Sequence, residues 1–215
     1  DSPGVYGSAS VGDHSAWVGD ANIVNGAFSS NIYDGSSWKG SLMVDNSKYE
    51  GQSSGHISVS MQDHSSWEGD MTVIGSEKED SYPSNHFMNL YRNVIWKGDF
   101  NITNSLNTIY ASQNSINLSG HSVWLGDAVL NGNNYMNLYI SDNSDWIGNL
   151  DLSQNNIDIE NQMHEGYVYI GDHSNWQGHI VDSKYGVGLQ VYDDSNWRMT
   201  GDSLVDMLYF DQNST

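Results

Sequence analysis

The chain of 215 residues contains no cysteine. That excludes disulfide frameworks, zinc-thiolate sites and thiol nucleophiles. Proline occurs only at Pro3 and Pro83, alanine is scarce, and no segment carries a convincing 3.6-residue period, so little favours helix. Basic residues number seven against 27 acidic ones, a formal net charge of −20. Such a surface argues against nucleic acid as a partner, because a phosphate backbone needs a basic face, and an anionic membrane repels it. No apolar run approaches the length of a spanning helix, so no direct membrane insertion by this segment is expected. What the chain has in quantity is Gly, Asn, Ser and Asp, which favour turns, and 12% aromatic residues, which argue for a packed interior.

All eight tryptophans sit in one recurring phrase. It reads DHSAWVGD at Asp13–Asp20, DHSSWEGD at Asp63–Asp70 and DNSDWIGN at Asp142–Asn149. Successive Trp spacings are 21, 29, 29, 28, 22, 30 and 21 residues. A unit of this length is too short for a propeller blade and suits one coil of a β-solenoid with three short strands. Alternating apolar residues follow each phrase, as at Met71 and Val73 or Leu150 and Leu152. Others precede it, as at Ile57, Val59 and Met61, or Phe87, Met88 and Leu90. A period of two over about five residues marks a half-buried strand.

The neighbours of each Trp tolerate charge, as Lys39, Glu68, Lys97, Asp145 and Arg198 show, so positions −1 and +1 face solvent. The Trp, with Ser at −2 and Gly at +2, then faces inward. The sequence predicts a core ladder of Trp17, Trp38, Trp67, Trp96, Trp124, Trp146, Trp176 and Trp197, each indole contributing about 2–3 kcal/mol by its burial. An exposed stacking platform for sugars is the alternative. Eight coils at ~4.8 Å predict a length of roughly 38 Å. The four longer periods carry polar insertions at Val44–His56, Gly75–His86, Thr103–Asn114 and Ser153–His164. Insertions recurring at one point of a repeat project from one side, where they carry binding or are merely tolerated.

Asp recurs four residues before Trp and three residues after it. Stacked carboxylates repel, and calcium would neutralise them; Asp13, Asp63, Asp142 and Asp172 are the candidate ligands. The competing reading, which the sequence favours, has these side chains forming Asx-turns and capping chain reversals. His14, His64, His121 and His173 form a second row, read as solvent-facing turn residues rather than metal ligands or proton sensors. No cofactor is assigned beyond that possible calcium. The seven basic residues are scattered, and Asp193 and Asp194 occupy a repeat position, so no catalytic residue is assigned.

The phrases Ser15–Asp20, Ser65–Asp70 and Ser144–Asn149, and above all Asn196–Phe210 (NWRMTGDSLVDMLYF), resemble the passenger domain of Gram-negative autotransporter adhesins of the pertactin-like type. Arg92, Val94 and Gly120 depart from the pattern. The resemblance implies an all-β, right-handed parallel β-helix of three short strands per coil and about 7–8 coils. It implies one domain over residues 1–215, a segment of a longer passenger, with residues 193–215 as a junction-like last coil. It further implies secretion through the outer membrane to the bacterial surface, with a translocator β-barrel C-terminal to the segment.

The expected function is adhesion or self-association through loops and polar ladders. Expected partners are a host-surface protein or glycan, or another copy of the chain. Tyr49, Tyr82 and Tyr185 are the candidate loop aromatics. A passive stalk that presents another domain is the alternative, and a polysaccharide-degrading β-helix enzyme the third reading.

Overall fold

A computed structural model describes residues 5–48, 55–77, 84–106, 111–157 and 164–215. These residues form a right-handed parallel β-helix with no helical segment. Three parallel sheets of nine, eight and seven strands make its sides, and the chain visits them in turn. In the first sheet, His86–Tyr91 lies between Ile57–Gln62 and Ser112–Ser119, and away from the terminal coils each strand pairs one coil back and one coil forward.

Alternation decides the inward set. Val59 and Met61, Met88 and Leu90, Ile116 and Leu118, and Leu138 and Ile140 are all fully buried. Phe87, grouped with the inward residues on sequence, instead points out and is 39% exposed. Adjacent residues cannot share a face, and Met88 is in register with inward Val59 and Ile116. The inward place two residues before Met88 therefore falls to His86, which is fully buried.

The second sheet consists of short strands centred on the tryptophans, and each Trp pairs with the next. The indoles form one column with centroids 4.6–5.3 Å apart and planes within 13° of parallel. Strand separation sets that spacing. Six of the eight are fully buried, whereas Trp17 and Trp197 on the terminal coils are half-buried. Each indole from Trp38 onward also donates its N–H to the carbonyl of the Gly two residues past the preceding Trp, as in Trp67 to Gly40 (2.7 Å) and Trp176 to Gly148 (2.9 Å). Glycine is needed there because a Cβ on Gly69 would collide with the Gly40 carbonyl oxygen one coil earlier.

The corners explain the rest of the phrase. Between the first and second sheets, two successive residues take left-handed backbone: Asp13 and His14 (φ 54° and 59°), Asp63 and His64 (56° and 63°), Asp172 and His173 (53° and 64°). Asp, Asn, His and Gly tolerate this region best. The second residue donates its N–H to the carbonyl of the first in the next coil, as in His121 to Asp142 and His173 to Asp193, both 2.9 Å. The following Ser turns inward, and its hydroxyl accepts from the preceding coil, as in Ser122 N–H to Ser144 Oγ and Ser144 N–H to Ser174 Oγ, both 3.1 Å. At the corner after Trp, the Asp side chains form a second ladder: Asp70 accepts from the Asp99 N–H (2.9 Å), Asp99 from Asp127 (2.8 Å) and Asp127 from Asn149 (2.7 Å).

Candidate binding surfaces

All four insertions fall between a strand of the third sheet and the first-sheet strand that follows it, and three of them lie on consecutive coils. Tyr49 and Tyr82 lie outside the described residues. Buried asparagines lock the bases of two of the insertions. The Asn46 amide accepts from the Gly26 N–H (2.7 Å) and donates to the Gly26 carbonyl (3.1 Å). Asn155 clamps Asn134 in the same way (3.1 and 3.0 Å). An amide side chain thus replaces a strand's backbone pair where the chain departs, which keeps a loop from loosening the coil beneath it.

Near the last insertion, Glu165 is fully buried and both of its carboxylate oxygens are hydrogen-bonded. It accepts from Asn155 Nδ2 (3.2 Å), the Ser183 hydroxyl, and the backbone N–H groups of Lys184 (2.9 Å) and Tyr185 (3.3 Å). These bonds fold the turn at Ser183–Gly186 down onto the coil. Tyr185 is accordingly half-buried against a small cluster of Ala111, Tyr135 and Ile157, with the Lys184 ammonium 4.7 Å from its ring centre. Glu165 organises this turn.

The four candidate calcium ligands share one corner column but do not fill it without interruption. Arg92 and Gly120 stand between Asp63 and Asp142, and Asp34 stands between Asp13 and Asp63. Asp63 is held by Arg92 (Nε to Oδ1, 3.0 Å). Among the described residues no three or more His, Asp or Glu side chains converge as a metal site. The shared property of these Asp residues is their positive φ.

The chain matches no protein-family model, no curated protein and no solved structure. The functional argument therefore rests on surface chemistry. The outward face of the first sheet divides in two. On the earlier coils it is a polar ladder of Ser10, Asn31, Ser60, Asn89 and Asn117 in register, with Asn117 donating to Asn89 (2.8 Å). On the later coils it turns aromatic. Tyr139, Tyr169, Tyr192 and Tyr209 make a continuous strip with centroids 6.4, 5.6 and 4.9 Å apart.

The strip was not singled out from sequence, where attention fell on the loop tyrosines. A signal exists nonetheless: Tyr139 and Tyr169 each precede their Trp by seven residues, which places them on one outward column. The ring of Tyr169 lies across Gly171, where any Cβ would strike the phenol. Burial first, and then the carboxylates of Asp172 and Asp193, raise the Tyr169 hydroxyl above the ordinary phenol range.

Proposed function

We propose that this chain is a surface-exposed segment of a bacterial adhesin passenger, whose task is binding rather than catalysis. The observation that carries the reading is the placement of all four insertions at a single corner of a rigid stack, three of them on adjacent coils. Loops carried by a rigid frame act together, so weak contacts from neighbouring coils add up as avidity. The Ser and Asn ladder offers a second repeating surface suited to a host protein, a glycan or another copy. Pairing of two chains of charge −20 must overcome repulsion, so self-association is expected to strengthen with added salt.

The test displays the segment on cells, with and without its insertions. Each insertion is cut back to the tight turn that the chain already uses at Gly132. Loss of clumping or host-cell attachment on shortening supports the reading, and equal attachment by both versions removes the loops from it. The alternative, a passive stalk, draws support from the Trp, Ser and Asp ladders, which are built without the insertions. It predicts that the shortened segment presents a fused domain as well as the intact one.

A further inference from the structure

The tyrosine strip differs in place and chemistry from the insertion corner. Insertions enter where first-sheet strands begin, whereas Tyr139, Tyr169 and Tyr209 are the next-to-last residues of their strands and Tyr192 lies just past the end of its own. Tyr139 and Tyr209 are 43% and 48% exposed, much for rings of this size. Any Cβ on Gly171 would strike the Tyr169 phenol, and successive rings of the strip are tilted by 44°, 31° and 33°, so the strip presents ring faces as well as edges. A run of carboxylates borders it. Asp142, Asp172 and Asp193 occupy the same corner position on successive coils, and Asp211 accepts from the Asp193 N–H (2.7 Å). The strands Asn134–Ile140, Gly166–Ile170, Val187–Val191 and Val205–Phe210 contain no Lys or Arg.

We infer that this strip is a docking surface for a cationic, arginine-bearing polypeptide segment. Aromatic faces attract cations through the ring quadrupole, and a guanidinium stacks on them while bonding to neighbouring carboxylates. The two attractions coincide here and recur at the coil spacing. A second copy of the chain is the wrong occupant, since it brings the same negative border to the interface. An anionic glycan fails for the same reason. Lys184, whose ammonium stands over Tyr185, already shows this mode of contact within the chain. The inference does not depend on the adhesin reading, and shortening the insertions leaves the strip in place.

The experiment titrates the intact chain calorimetrically with an arginine-rich oligopeptide at near-physiological salt. The same peptide with citrulline for arginine and an uncharged oligosaccharide are run beside it. The arginine peptide is expected to bind and the other two not to. A Tyr169→Ser/Tyr192→Ser chain keeps its charge and is expected to bind about tenfold more weakly. A Glu68→Gln chain, altered on a remote coil, is expected to stay within about twofold of the parent. Near-ultraviolet circular dichroism of the Trp column verifies that the variants are folded. Protection of Tyr169 and Tyr192 from nitration in the unaltered chain locates the peptide without any substitution. The inference is overturned if the tyrosine variant binds as well as the parent, or if the remote variant loses as much. Equal binding of the citrulline peptide, or preference for the oligosaccharide, overturns it too.

Discussion

The indole N–H of Trp96 donates to the carbonyl oxygen of Gly69, 3.0 Å away and one coil earlier. The bond joins the two most regular positions of the repeat. It satisfies a buried donor, and it fixes where the ring sits relative to the strand below. Trp therefore supplies more than apolar volume at this position.

Replacing Trp96 tests the two contributions separately. Trp96→Ala leaves a cavity between Trp67 and Trp124 and is expected to cost about 3–5 kcal/mol. Trp96→Phe retains a ring in the column but orphans the Gly69 carbonyl, and should cost less, about 1–3 kcal/mol. Denaturant midpoints of the three chains decide; equal losses would show that the hydrogen bond is immaterial.

Arg92 stands in a left-handed corner (φ 64°) where the neighbouring coils place Asp and Gly. Its guanidinium reaches down to Asp63 and to Gln62 (3.0 Å). The pair is largely exposed and adds at most about 1 kcal/mol. Arg92→Asn removes this bridge but suits the backbone better, so stability should change by less than about 1 kcal/mol. Arg92→Val loses the bridge and strains the turn, and should cost about 1–2 kcal/mol. A thermal melt that ranks Val above Asn would contradict the corner argument.

His86 makes acid costly. Burial, and secondarily the charge of His56, lower its pKa from 6.5 to about 3. As pH falls through 6.5, the unfolded chain takes up a proton that the folded chain refuses until about pH 3. Stability is thus lost across that window and levels off below it, by up to roughly 5 kcal/mol. The carboxylates add their own pH dependence, so the quantity to measure is the difference between the parent and His86→Leu. That difference should shift in favour of the variant between pH 6.5 and pH 3; a flat difference would count against a neutral, buried imidazole.

Glu165→Ala strips one acceptor from Asn155 Nδ2, the Ser183 hydroxyl and the Lys184 and Tyr185 amides together. The turn at Ser183–Gly186 should open, with the Lys184 and Tyr185 amides exchanging at least tenfold faster. Amides of the Trp column should be unaffected. Unchanged exchange at both sites would show that the turn stands without its carboxylate.

Much of the fold was legible because the Trp phrase repeats at a nearly fixed register. The ladder, the outward flanking residues and the common origin of the insertions follow from spacing and face. Three features were harder to read. Phe87 and Met88 are both apolar, and only pairing with Val59 and Ile116 shows which turns inward. The corner Asp residues also recur for a backbone reason that charge alone does not reveal, a left-handed conformation that Asn143, His173 and Gly35 adopt as well. The tyrosine strip is spread over four coils, and only Tyr139 and Tyr169 keep one distance to the Trp that follows; Tyr192 lies two residues past the place that pairs with Tyr169, so spacing alone does not gather the strip.

Nearly every bond described above spans a single gap between coils, and few tie distant levels together. Removing one entire repeat, from just after one Trp through the next, would bring like positions into contact and shorten the rod by ~4.8 Å. Deleting some twenty residues as a block is then a gentler injury than altering one indole. Length, in such a rod, is a quantity evolution can adjust without redesigning anything.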